Sequence, residues 1–148
     1  MRAGFQAGAG GRRPGRLAWV LCALAEAIAA ACVVLLLAGH VGLGEAVDAY
    51  LVTNLGMVVT FAAIGGLVAG NRPRNPIGWL FLAHSGCFAL STLAGTVAVS
   101  QQAALPAGSQ RALLVVFQGL WPLGIGIALP LAVQLFPIGR PSAHGGAG

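Results

Sequence analysis

Four separate stretches of this chain stay apolar for the length of a membrane crossing: residues 17–39, 51–70, 77–99 and 112–136. Each is closed off by a polar or Pro/Gly-rich joint. Crossing the hydrocarbon layer as a helix takes about 20 mostly apolar residues. Lipid offers no partner for a backbone N–H or C=O, so the crossing segments must be helices or strands of a closed barrel. Barrel strands would read as segments of about ten alternating residues, a pattern missing from this chain. Only 7% of the residues are charged and 57% are hydrophobic, whereas a soluble domain is about 25% charged. Eight basic and three acidic side chains cannot clothe a soluble surface. The pattern predicts an all-α membrane protein, with four transmembrane helices in an antiparallel up-down bundle over 17–138. An Arg-rich, disordered tail is predicted over 1–16 and a short Gly-rich tail over 139–148. The first run is too long for the h-region of a cleaved signal, which spans about 7–15 residues.

The charges give the bundle a direction. All eight basic residues are Arg. Arg2, Arg12, Arg13 and Arg16 precede the first span, Arg72 and Arg74 separate the second from the third, and Arg140 follows the fourth. Arg111 alone falls on the other side. The positive-inside rule then places both termini and the Arg72–Arg74 turn in the cytoplasm of a plasma-membrane protein. Trp19, Trp79 and Tyr50 fall near span ends, where interfacial anchors belong. Positive charge could also signal nucleic acid, but a dense basic face with interleaved aromatics is lacking. Cys22, Cys32 and Cys87 lie inside apolar runs, without a CxxC or Cys/His cluster. They read as small buried residues, and neither a metal nor a cofactor is expected.

The joint between the second and third spans is the most informative. Asn75 can cap the third helix by accepting a hydrogen bond from an orphan N–H. Pro76 suits the first helical position, where an N–H is not needed. Arg72 and Arg74 hold the turn at the headgroups. Just before it, Gly66-xxx-Gly70 permits close helix approach. Cys22, Glu26 and Ala30 in the first span, and Cys87, Ser91 and Gly95 in the third, repeat the small-residue spacing. These stripes fit packing within the bundle or a homodimer seam.

Two ionisable residues lie deep in spans. Glu26 is about 13 Å along the first helix and His84 about 10 Å along the third. The two spans run in the same direction, so both groups sit at similar depth. Either they contact one another, or each bonds a nearby hydroxyl or carbonyl. In the fourth span Pro122 and Pro130 each remove a helical hydrogen bond, so a kink is expected there.

The segment "GGLVAGNRPRNPIGWLFLAHSG", Gly65 to Gly86, resembles a signature of the N-terminal membrane region of actinobacterial sensor histidine kinases. There a helix ends in a basic turn and "R-x-x-NPIGWL" opens the next. "LPLAVQLFPIGRPSA", Leu129 to Ala143, is similar to that family's "LPL...LFPDGR" segment, with Ile138 where an acidic or small polar residue is usual. The resemblance covers about residues 17 to 141. It implies a sensor-like membrane module of a two-component system. The phosphoaccepting and ATP-binding parts of such kinases are not recognisable here, so catalytic activity is not expected. His144, in a Gly-rich stretch, does not carry the phosphoacceptor role. The expected partners are the lipid bilayer and either a second copy or another membrane signalling protein, with no nucleic acid. The other reading is a small accessory or transporter subunit. The two outer stretches, about ten residues from His40 to Tyr50 and about twelve from Ser100 to Arg111, are too short for a ligand-binding domain, so a stimulus would have to be read within the membrane.

Overall fold

Each apolar run forms a helix. The computed structural model describes residues 13–135 and is helical apart from short turns. Helix α1 spans Arg13–Ala38, α3 Leu51–Asn71, α4 Pro76–Ser100 and α5 Ala107–Leu123. A short helix, α2, covers Leu43–Asp48 within the first joint. After α5 the chain passes through a π-helical segment, Gly124–Ala128, into α6, Leu129–Leu135. Four helical stretches are long and apolar enough to cross a membrane. The protein is an all-α, multi-pass membrane protein, and the expected antiparallel bundle is the observed fold.

Several boundaries differ from those read in the sequence. Helix α1 starts at Arg13, so the last four residues of the predicted 1–16 tail are helical. The fourth span starts at Ala107 rather than 112 and changes helix type before its end. Arg2, Arg12, Arg140 and the tail 139–148 lie outside the described residues.

Helices α1, α3 and α4 pack on one another, while α5 and α6 lean on α4. This arrangement makes α4 the central element. Its buried residues, among them Gly78, Leu82, Ser85, Phe88, Ser91, Thr92 and Thr96, point in several directions. Helix α5 has no buried residue. On α1 the buried positions are Ala18, Cys22, Ala25, Ala29, Cys32 and Leu36. Their alternating three- and four-residue steps form the narrow seam of a left-handed helix pair. Small side chains along that seam let backbones approach, which is how helices associate where lipid removes the hydrophobic driving force. Of the predicted Cys22, Glu26 and Ala30 stripe only Cys22 is buried; Ala30 is exposed and Glu26 sits at the margin.

The glycines mark the closest approaches. A Cβ on Gly78 would fall 2.5 Å from the Ala69 amide nitrogen, and one on Gly65 2.8 Å from that of Leu82. A Cβ on Gly66 would meet Cys22 at 2.8 Å, and one on Gly70 the Trp19 indole at 2.6 Å. The Gly66/Gly70 stripe therefore packs α3 against α1 inside one chain.

The turns follow from local chemistry. Helix α1 ends in a Schellman arrangement: His40 N–H donates to Leu37 O at 3.1 Å and Val41 N–H to Leu36 O at 3.0 Å. His40 takes the left-handed conformation, φ 53°, that glycine usually supplies. Val41 packs back on the cluster around Leu36, adding the apolar contact that accompanies this motif. Tyr50, φ 59°, closes α2 in the same conformation and caps the start of α3. At the other end the Asn75 side chain accepts a 3.0 Å hydrogen bond from Ile77 N–H, and Pro76 occupies the first turn of α4, as the sequence predicts.

Candidate functional site

Because α5 leans chiefly on α4 and meets the cluster around Leu51 of α3 only through Phe117, a gap remains between α3 and α5. It is a partly enclosed cleft of about 460 Å³, within the 300–1,000 Å³ range of small-molecule sites. Tyr50, Thr53, Asn54 and Met57 form one wall and Phe117, Gln118, Trp121 and Ile125 the other. Phe88 of α4 is the floor. The lining covers the half of α3 remote from Arg72 and Arg74. It carries no ionisable group other than the Tyr50 phenol.

Polar groups in the cleft come from both walls. Asn54 is 8% exposed, and among the described residues its carboxamide has no hydrogen bond. Gln118 is exposed, and its Oε1 accepts a 3.4 Å hydrogen bond from Trp121 Nε1. That leaves the Gln118 NH2 group free to donate. Ser91 of α4 donates to the Phe117 carbonyl at 2.6 Å, which ties the α5 wall to the central helix. On the opposite side Ser85 donates to Val58 O at 3.0 Å, tying α3 to α4.

Below the floor lies His84. It is 1% exposed, and among the described residues neither ring nitrogen has a hydrogen-bond partner. Its ring centroid is 4.2 Å from that of Phe61 and 4.7 Å from that of Phe88. Gly124, the first residue of the π segment, is so close that a Cβ there would be 3.1 Å from His84 Nδ1 and from the Phe88 ring. Phe88 thus touches both the cleft and the interruption in the fourth span. Pro122 lies near the end of α5 and Pro130 near the start of α6, and the π segment sits between them. Where the sequence predicts a kink, the chain changes to this wide turn, whose longer register the removed hydrogen bonds make tolerable.

The hydrogen bond between Glu26 and His84 is not formed. Depth along parallel helices is shared, but direction is not. Glu26 is about 100° round the helix from buried Ala25 and faces an open groove between α1 and α3. Ala29, Ala30, Leu55, Gly56, Val59 and Thr60 line that groove. His84 faces Phe61, Phe88 and the π segment instead.

Arg72 and Arg74 are exposed on the turn that Asn75 and Pro76 shape. Trp79 reinforces this turn by donating from Nε1 to Pro73 O at 2.8 Å. The motif signal therefore located a built turn. The cleft had no such signal, because its lining comes from three helices without a shared period. Among the described residues, no group of three or more His, Cys, Asp and Glu side chains is arranged to hold a metal. Comparison with protein-family models, curated proteins and solved structures finds no match.

Proposed function

We propose that this chain is a sensor-type membrane module, of the kind that forms the input region of sensor histidine kinases, without catalytic activity of its own. In this reading it sits in the plasma membrane with both termini and the Arg72–Arg74 turn in the cytoplasm. The observation that carries the proposal is the contact between the cleft and the interruption in the fourth span. Phe88 floors the cleft and packs against Gly124. A ligand that spreads or closes the walls shifts α5 against α4. The π segment is where such a shift can turn α6 relative to α5, since wide turns within helices are common at moving or functional points. Helix α6 then delivers the change to the cytoplasmic face. Shifts of about 1–2 Å between packed helices are enough for membrane and interface switches of this sort.

The test uses spin labels at Leu67 and Val133, both exposed, in a variant with all three cysteines replaced. The chain is placed in nanodiscs, and the label–label distance is measured with neutral lipophiles added and with phosphatidylcholine of different chain lengths. The expected result is a change of about 2 Å in at least one condition. An identical distance distribution in every condition rejects the input-module reading.

Glu26 supports a partner within the membrane. A carboxyl group near mid-helix costs about 2.5–3.5 kcal/mol on insertion scales, and here it faces a groove open at the protein surface. A second copy or another membrane signalling protein would supply the missing hydrogen bonds. The second reading, a small accessory or transporter subunit, is favoured by the broken fourth span, since transporters use discontinuous helices at substrate sites. Ligand-dependent flux through proteoliposomes, with an unchanged label distance, would select it.

A further inference from the structure

We infer that the cleft between α3 and α5 is a binding site for an uncharged, ring-containing amphiphile whose polar end, a carbonyl or hydroxyl, pairs with Asn54. The inference rests on the input-module reading for its purpose but on separate observations for its chemistry. Asn54 is more than nine-tenths buried, lines the cleft and has no hydrogen bond to its carboxamide among the described residues. Its carboxamide opens onto the cleft, and in a membrane, where water is scarce, such a group gains from a polar partner. A ligand carbonyl or hydroxyl supplies that partner.

The rest of the lining defines the body of the ligand. Phe88, Phe117 and Trp121 present aromatic surface, and Met57 adds an adaptable apolar contact. Aromatic walls favour a ring over a straight acyl chain, because offset and edge-to-face contacts add to simple area burial. The lining holds neither Arg, Lys, Asp nor Glu, so a charged head would lie there without a counter-ion, and burial of an unpaired charge is prohibitive. Gln118, with its NH2 group free, offers a second donor from the opposite wall. A ligand with two acceptors would bridge α3 and α5 across the cleft.

Benzophenone tests this directly. It is a neutral diaryl ketone of the stated class, and on irradiation it inserts into neighbouring C–H bonds. The full chain in phosphatidylcholine nanodiscs is irradiated over a range of benzophenone concentrations, and adducts are mapped by mass spectrometry. Saturable labelling of Met57 and of the segment 117–121 is expected. Asn54→Leu should raise the half-saturating concentration about tenfold, the loss of one hydrogen bond. Thr53→Trp, at an exposed position on the cleft wall, should abolish saturable labelling without disturbing the packed helices. Diphenylmethane, which lacks the carbonyl, should compete equally with both chains that carry Leu or Asn at position 54.

Labelling that never saturates, or that falls as heavily on lipid-facing Leu24 and Val34 of α1, overturns the inference. So does a half-saturation that neither substitution changes. Labelling that depends on Asn54 while the Leu67–Val133 distance stays fixed retains this site and removes the input-module reading. A distance that responds to lipophiles with Asn54→Leu as it does with Asn54 removes the site and retains that reading.

Discussion

Replacing Gly78 with Ala should loosen the α3–α4 contact, and the amount follows from the geometry. The added Cβ would stand 2.5 Å from the Ala69 nitrogen and 3.0 Å from its Cα. Ordinary contact starts at 3.4 Å, so the helices must part by roughly 0.9 Å at this point, an overpacking strain. The obstacle is backbone, which cannot rotate away as a side-chain tip can. Gly65 faces the same crossing, with its own Cβ position 3.0 Å from Gly78 O, so the shift cannot be absorbed by sliding along the axis. Overpacking of this kind costs about 3 kcal/mol at the upper end of its usual range. Alanine recovers about 0.8 kcal/mol of helix propensity. The net loss is roughly 2 kcal/mol. Gly86 on the same helix is the control, since a Cβ there meets nothing within 4 Å. Gly86→Ala should be neutral or stabilise by up to about 0.8 kcal/mol. Both variants are compared by SDS-titrated unfolding in mixed micelles, with tryptophan fluorescence as the readout. Equal stability of Gly78→Ala and the parent chain, or equal damage from Gly86→Ala, would refute the close crossing.

Three other substitutions probe separate parts of the molecule. Asn75→Ala removes the acceptor for Ile77 N–H and should cost about 1 kcal/mol in the same titration; Asn75→Ser should restore most of it. His84→Leu deletes two unpaired ring nitrogens and should leave stability unchanged or raise it by about 1 kcal/mol, whereas a large loss would reveal a hydrogen-bond partner for the ring. Glu26→Leu should favour insertion of the first span by about 3 kcal/mol, read as the inserted fraction of a glycosylation-tagged segment; an unchanged fraction would mean that Glu26 does not sit at bilayer depth.

The sequence carries depth well and direction poorly, and the outcomes divide along that line. Span number, the Asn75 cap and the Pro122–Pro130 interruption depend on residues close together in the chain. Local rules of hydropathy, capping and missing N–H groups suffice to find them. The Gly66-xxx-Gly70 spacing announces a close approach but not its partner. Trp19 and Cys22 became that partner because α1 presents a seam of small residues to α3. Glu26 and His84 share a depth, yet their helices turn them to different neighbours, an outcome set by which faces the small residues claim. Glu26 lies outside the Ala18–Leu36 seam, so packing α1 by its small side turns the carboxyl away from α4. The cleft has the same origin. Central α4 uses Ser85 to bond α3 and Ser91 to bond α5, and those faces diverge. With α3 and α5 held by different sides of one helix, a space opens between them, and Asn54 lines it without a hydrogen-bond partner among the described residues. A polar residue that reads in sequence as an ordinary interruption of the second span is therefore given its chemical meaning by two serines on another helix.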